Sequence, residues 1–443
     1  MTASDLALSI VQRLRQAGQL SYLTGGCVRD LLLNRPAKDY DVATSAPPEA
    51  LLKLFPNAGQ VGAHFGVVLV RNGDVQVEVA TFRSDLEYKD GRRPEGVHFE
   101  TDPKQDVLRR DFTINALLLD PITGEIIDYV GGRADLEGRL IRAIGDPVRR
   151  LREDHLRLLR AVRFAARLGF EIEHQTFVAM RELAPLIQSV SAERVRDEIA
   201  RILTEGGAKR GFELLDRSGL LQQVLPEVAK MKGVEQPPQF HPEGDVWTHT
   251  LMMLDGLEQP SLTLALGVLL HDVGKPDTFH VAERIRFDGH VERGIEIAHE
   301  LLCRLRFPHH VIDQVEALIG NHMKFMEVPR MRESTLKRFM RLPEFEEHMQ
   351  LHRLDCLSSH GGLDSYDFVR RKQLEVPPEQ LKPKPLLTGK ELIAAGYRPG
   401  PMFGVVLSEI EDAQLEGRIE TAEQALDMAR DRLDQGFVAE PRP

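Results

Sequence analysis

The sequence predicts an α+β protein, with a small mixed β-sheet in a head followed by mostly helical neck, third and tail regions. Three observations carry this. In the first third, residues 66–71 (GVVLVR) and 75–82 (VQVEVATF) flank Asn72-Gly73-Asp74, the pattern of two strands joined by a hairpin turn. From residue 146 onward apolar residues recur at i, i+3, i+4 and i+7, the spacing of one helix face. Two Pro-rich polar stretches, 235–244 (EQPPQFHPEG) and 376–385 (VPPEQLKPKP), interrupt that periodicity as linkers do. Four regions follow: a head at 1–145, a neck at 146–234, a helical region at 245–362 and a tail at 380–443.

The chain opens on an amphipathic helix, with Leu6, Ile10, Val11 and Leu14 on one side and Arg13, Arg15 and Gln16 off it. It reads as part of the fold rather than as a leader. Over 443 residues, 42% hydrophobic and 28% charged residues mark a globular chain. The 57 Lys+Arg against 68 Asp+Glu leave −11. That excludes a general basic coat for nucleic acid and leaves room only for local basic patches. Cys27, Cys303 and Cys356 are far apart and odd in number, which suits a reducing compartment better than a disulfide framework. No apolar run approaches the ~18–20 residues of a membrane span. A soluble, cytoplasmic protein is expected.

In the head, residues 23–30 read LTGGCVRD. A Gly pair between a strand and a helix lets backbone N–H groups, Gly26 among them, approach a phosphate. Arg29 falls on the first turn of that helix, placed to clamp an anion. In KDYDVAT, Asp39 and Asp41 stand two apart, so on a strand they share a face. Close carboxylates repel unless a hard divalent cation lies between them. Glu78 occupies the polar side of the next Val-rich run and offers a third acid. Residues 109–117 (RRDFTINAL) add paired arginines suited to phosphate.

Taken together, Gly-Gly-x-Val-Arg-Asp followed by Asp-x-Asp resembles the nucleotidyltransferase head of the polymerase-β superfamily, within the class II family of CCA-adding enzymes and bacterial poly(A) polymerases. The resemblance implies that Asp39, Asp41 and Glu78 are catalytic, with Mg²⁺ on Asp39 and Asp41. It implies that Gly26, Arg29 and Arg110 hold a triphosphate, and that residues 128–132 (DYVGG) close the head.

Residues 139–170 carry nine arginines against three acids, a basic belt in an acidic chain. Read as one helix, Leu151, Leu158, Leu159, Val162 and Ala166 share an arc, and Arg157, Arg160, Arg163 and Arg167 the opposite one. Asp154 then lies beside Arg157. An amphipathic helix with a solvated arginine face is the ordinary alternative. The run EDHLR followed by LLRAVRFAARLGF resembles the base-recognition helix of the same family. Asp154 accepts hydrogen bonds and Arg157 donates them, so the two can pair with a base edge. By the resemblance Arg160 and Arg163 hold phosphate or orient that pair. Residues 84–97 form a Gly- and charge-rich loop which, in that family, accompanies addition of a terminal A.

The third region sets out His249, His271-Asp272, His290, His322 and Asp355 in order, a set that resembles the HD phosphohydrolase superfamily. His249, His271, Asp272 and Asp355 are the expected ligands of a divalent metal whose identity imidazole and carboxylate leave open. His290 and His322 stand behind them, and Lys275 is placed to meet a phosphate. A purely structural region is the alternative. The tail is similar to the C-terminal region of HD-bearing members of the family and reads as an RNA-docking or packing module, with Lys382, Lys384 and Lys390 candidate phosphate contacts.

The implied reaction is attack by an RNA 3′-hydroxyl on the α-phosphate of CTP or ATP, with release of pyrophosphate and no template. The implied partner is tRNA, held at its 3′ end and acceptor arm by shape rather than sequence, with binding that weakens as salt rises. No membrane and no protein partner is implied. Two alternatives stay open: a poly(A) polymerase or A-adding-only enzyme, and an HD phosphohydrolase acting on RNA ends or nucleotides.

Overall fold

The computed structural model describes residues 1–37, 39–60, 66–85, 96–237, 239 and 241–434. It forms two compact units. The first comprises residues 1–232 with 254–265 and 300–307, the second 233–253, 266–299 and 308–443.

The first unit is built on strands β1 (Ser21–Thr24), β2 (Asp41–Thr44), β3 (Gly59–Gln60), β4 (Val67–Asn72), β5 (Val75–Thr81), β6 (Arg83–Asp85), β7 (Val97–Phe99), β8 (Leu118–Leu119) and β9 (Ile126–Ile127). Seven make one mixed sheet in the order β3-β4-β5-β2-β1-β8-β9, and β6 pairs with β7. The expected hairpin forms: β4 and β5 are antiparallel with Asn72 opposite Val75, so the loop is only Gly73-Asp74. Gly73 takes φ 60, the positive value that a two-residue hairpin turn needs at its first central position. The helix Ala3–Gln16 is closed by a Thr2/Asp5 capping box and buries Leu6, Ala7, Ile10, Val11 and Leu14 against the sheet. Val42, Ala43, Val77, Val79 and Phe82 face the interior.

Two expectations are corrected here. Asp39 does not lie on a strand. The strand starts at Asp41, so a shared pleat does not explain how the two acids relate. The neck is also not one helix through Asp154. The helix Pro147–Glu153 ends there, Asp154 is extended at φ −143 and ψ 107, and a second helix runs Arg157–Leu168. The cause is the aspartate itself. Its Oδ1 accepts the Leu156 N–H at 3.1 Å and its carbonyl accepts the Arg157 N–H at 3.0 Å. Such local bonds compete with helix continuation. The second helix stops at Gly169, φ 68, the usual left-handed terminator.

The stretch DYVGG is a cap. One Asp128 carboxylate accepts N–H bonds from Val130, Gly131, Gly132 and Arg133 at 2.9–3.0 Å. It thereby satisfies the first donors of the helix Gly132–Glu137. Thr113 Oγ1 donates to Asp135 of that helix at 2.7 Å, which ties it to the RRDFT segment.

The second unit is helical. Phe325, Val328, Phe339, Phe345 and Met349 centre one apolar cluster. Leu387, Leu392, Val406, Ile410, Ala425 and Ala429 centre another among the tail helices Gly389–Ala394, Pro401–Leu415 and Ala422–Asp434. Lys337 donates to the Leu415 carbonyl at 2.6 Å and Arg338 to Glu411 at 2.7 Å. The tail is thus anchored to the helix Glu333–Met340. Lys382, Lys384 and Lys390 are exposed. Most of the 84–97 loop and the last nine residues fall outside the described residues. Among those described, no helix is long and apolar enough to cross a membrane.

A Cβ on Gly132 would lie 2.3 Å from the Thr113 carbonyl oxygen, a backbone atom that cannot swing away. Gly132→Ala is therefore expected to destabilise the protein by about 1–3 kcal/mol. The check is urea denaturation, and an unchanged midpoint would contradict the close approach.

Candidate functional site

The head site begins at Gly25. The chain leaves β1 with φ 73 and ψ −139 there, a conformation open in practice only to glycine. A Cβ at Gly25 would stand 3.4 Å from Asp41 Oδ2 and 3.7 Å from Arg110 Nη1. Gly25, Asp41 and Arg110 therefore converge. Strands β2 and β5 are parallel with Asp41 directly opposite Glu78, so both acids project from one face. Burial and then the charge of Glu78 push Asp41 up to about 6, Arg110 pulls it down, and Asp39 adds a further push. A carboxyl so displaced by burial and by neighbouring acids fits a position that shares a hard cation. Asp39 and Glu78 are exposed. The head acids do not gather as closely as the histidine groups described below, whose ligand atoms lie within 4.8 Å of one another.

The two head arginines differ in how far they remain open. Arg110 gives Nη2 to Asp106 at 2.8 Å and Nη1 to the Asn115 carbonyl at 3.2 Å, and remains partly open. Arg29 is 2% exposed. Its Nε donates to Asp30 at 2.8 Å and Nη1 to Asn115 Oδ1 at 2.7 Å, so this buried guanidinium is occupied by protein partners. Gly26 lies one residue into the helix, beside Arg29 Nη2. The glycine that opens onto the acids is Gly25, which the sequence reading passed over because a Gly pair does not say which member faces the ligand.

In the neck, Asp154 and Arg157 are near in sequence but are not each other's partners. Asp154 accepts Arg194 Nη2 on both oxygens, at 3.2 and 2.9 Å. Arg157 Nη1 donates to Glu153 Oε2 at 2.8 Å and to the Arg150 carbonyl at 2.7 Å, and Nη2 to the Arg109 carbonyl at 3.1 Å. This corrects the expected couple: the helix break turns Asp154 toward the helix Ala192–Thr204. Nor is the arginine arc solvated. Arg163 is buried against Glu198 at 2.7 Å, while Arg160 donates to Asp111 Oδ2 at 2.9 and 2.6 Å. The Phe164 ring has the guanidiniums of Arg163, Arg29 and Arg160 at 4.3, 5.3 and 5.3 Å, within reach of its negative face.

A second centre lies in the second unit. His249, His271 and Asp355 form one three-ligand group, and Asp272, His290 and His322 another. The Nδ1 atoms of His271, His290 and His322 donate to the carbonyls of Val268, Phe287 and Ile319 at 3.0, 2.9 and 2.6 Å. His249 Nδ1 lies 2.8 Å from Glu243 Oε1. Pinning Nδ1 leaves Nε2 free to ligate, the usual outer-shell arrangement of metal-binding histidines. Among the described residues the Nε2 atoms of His249, His271 and His290 are buried with no hydrogen-bond partner. His249 Nε2 lies 3.2 Å from Asp355, and His271 Nε2 lies 3.1 Å from Asp272. Burial opposes charge on His249, but the carboxylates of Asp355 and Glu243 beside it hold it up at about 9. Burial and the nearby His271 push His322 down to about 4. These donors fit a divalent metal and leave its identity open.

Residues 21–142 match the family model described as the Poly A polymerase head domain. Residues 169–232 match the one described as a probable RNA and SrmB-binding site of polymerase A, and residues 245–357 match the HD domain. A CCA-adding enzyme of Streptococcus pneumoniae is 31% identical over 427 residues, 95% of each chain. The chain belongs to the CCA-adding enzyme family. The crystal structure of the Bacillus stearothermophilus CCA-adding enzyme in complex with CTP is 27% identical, with a TM-score of 0.75 over 98% of this chain and 100% of that one. The Thermotoga maritima CCA-adding enzyme complexed with tRNA has the same fold at 21% identity, with a TM-score of 0.61 over 97% and 95%.

As a member of the CCA-adding enzymes the chain is a nucleotidyltransferase, and its α+β class stands. Sequence reasoning missed Arg194, His241 and Glu243. The last two sit in the stretch taken for a linker, and Glu243 Oε1 lies 2.9 and 2.8 Å from Nδ1 of His241 and His249. The HPEG run beside a histidine helix was the available signal.

Asp111 offers a pH test. Burial raises its pKa, but the charge and hydrogen bonds of Arg160 outweigh burial and hold it at about 2. A carboxyl depressed in the folded state stabilises above its unfolded pKa and loses that contribution as pH falls through the folded one. Asp111→Asn is expected to cost about 2 kcal/mol at pH 7. In urea titrations the gap to the unmodified protein should close between pH 4 and pH 2, and a gap that stays constant would contradict the ion pair.

Proposed function

We propose that this nucleotidyltransferase adds C and A to the 3′ end of tRNA from CTP and ATP, releasing pyrophosphate and using no template. The carrying observation is the convergence of Gly25, Asp41 and Arg110 with Glu78 beside Asp41 on the next strand. Asp39, Asp41 and Glu78 would hold Mg²⁺, which when bound supplies activation of the attacking hydroxyl and relief of charge on the leaving pyrophosphate. The Gly25-Gly26 turn lets backbone N–H groups reach the triphosphate, and Arg110 meets its oxygens. Arg29 acts from behind: through Asp30 and Asn115 it fixes the turn and the Arg110 segment. Asp154 and Arg157 read the base edge once the base displaces Arg194 and Glu153 from them. An acceptor carboxylate suits the amino groups that cytosine and adenine share. Arg160 and Arg163 set the helix that begins at Arg157.

A second activity is favoured by the histidine centre: metal-dependent hydrolysis of phosphate esters by the HD domain, with His249, His271, Asp272 and Asp355 as ligands and His290 and His322 completing the set. The pinned Nδ1 atoms and unpartnered Nε2 atoms support this reading.

With tRNA ending before the CCA, CTP alone should yield C addition, and CTP with ATP a complete end. Incorporation of A but never C would move the assignment to an A-adding enzyme or poly(A) polymerase. Asp41→Asn is expected to lower nucleotide addition by about 10²–10³-fold or more while leaving phosphate-ester hydrolysis intact. Asp355→Asn should do the converse. Loss of both activities in either variant would contradict two separate centres.

A further inference from the structure

The stretch 235–244 reads as a linker from its composition, yet it walls the HD centre. Lys275 is buried, and its Nζ donates to Gln236 Oε1 at 2.7 Å and lies 2.7 Å from Asp272 Oδ2, with the Phe287 ring at 5.3 Å. An ammonium has three protons and no acceptor. Two are directed to Asp272 and Gln236, and one remains. A lysine can only donate, so Gln236 must turn its oxygen toward Nζ, which fixes the carboxamide and makes Nε2 its remaining donor arm. Gln236 is 4% exposed, and among the described residues its Nε2 has no hydrogen-bond partner. A buried amide donor without an acceptor is unfavourable. Here it stands next to a lysine that touches a metal-ligating carboxylate. Donors in a dry site beside a metal suit an anionic oxygen. The same stretch holds Glu243, whose carboxylate orients His249.

We propose that Gln236 is a substrate-binding residue of the HD centre. Its Nε2 and the remaining Lys275 proton form a two-donor cradle for an oxygen of a phosphate ester whose phosphate lies at the metal. This rests on reading the centre as a metal-dependent phosphohydrolase. Gln236→Glu keeps an oxygen for Lys275 and replaces the donor by an acceptor of nearly the same shape. Gln236→Leu removes both functions and serves should the glutamate variant fold poorly. The full chain is loaded with Mn²⁺, its metal content measured by elemental analysis, and inorganic phosphate titrated by calorimetry. The expected result is unchanged metal content with phosphate binding weakened tenfold or more in both variants. Full metal content with unweakened phosphate binding in the variants would overturn the inference and leave the HD reading standing. An unmodified protein that takes up no metal would overturn the HD reading and the inference with it. Metal uptake without phosphate binding by the unmodified protein would overturn the inference alone.

Discussion

The join between head and neck in the first unit rests on one ion pair, Arg160 to Asp111, made by two guanidinium nitrogens at 2.9 and 2.6 Å. Asp111 belongs to the RRDFT segment of the head and Arg160 to the neck helix. Around the pair runs a chain of buried polar groups. Asn115 donates to Asp111 at 3.3 Å, Arg29 donates to Asn115 and Asp30, and Arg167 reaches Asp30 at 3.4 Å. Charges removed from water cost more than their attraction returns unless their remaining donors and acceptors are also satisfied. The extra partners and the Phe164 face beneath three guanidiniums meet that condition. The result is geometric: the head acids and the break at Asp154 are held in a single frame.

The same constraint explains the pairing at the helix break. A partly buried carboxylate and guanidinium such as Asp154 and Arg157 cannot both stand unpaired, because an uncompensated charge there is costly. Arg194 covers Asp154, and Glu153 with two backbone carbonyls covers Arg157. The protein partners are themselves charge-assisted donors and acceptors. Only a ligand group that replaces those hydrogen bonds in kind can displace them without loss.

The parts of this arrangement legible in the sequence are those fixed by local rules. Strand alternation placed Glu78 on the polar face of β5, and the Asn-Gly-Asp run announced the hairpin to within one residue. The ordered histidines announced a metal centre, and the structure gathers all six of its expected residues. The parts that were not legible depend on tertiary partners. Helical periodicity carried the neck straight through Asp154, although an aspartate preceding a helix is a capping residue with its own local bonds. The partners of the arginine arc were not legible because its acids, Glu198 and Asp111, lie 35 and 49 residues away along the chain. The Pro-rich stretch looked like a spacer because its composition describes its conformation, and only the fold shows what Gln236 and Glu243 face.

The two centres differ in how far the protein alone completes them. In the HD centre every ligating imidazole is already oriented by a carbonyl or carboxylate at Nδ1. Such a set fits a divalent metal and leaves its identity open. In the head the donors are oxygens alone, Asp39 and Glu78 are open to solvent, and Asp41 is driven up to about 6 by burial and by its neighbours. Arg110 offsets part of the repulsion between those acids, and an oxygen-only donor set of this kind suits a hard divalent cation. Charge repulsion among the head acids therefore leaves that site short of counter-charge, whereas the histidine centre has its ring orientations already set by the protein.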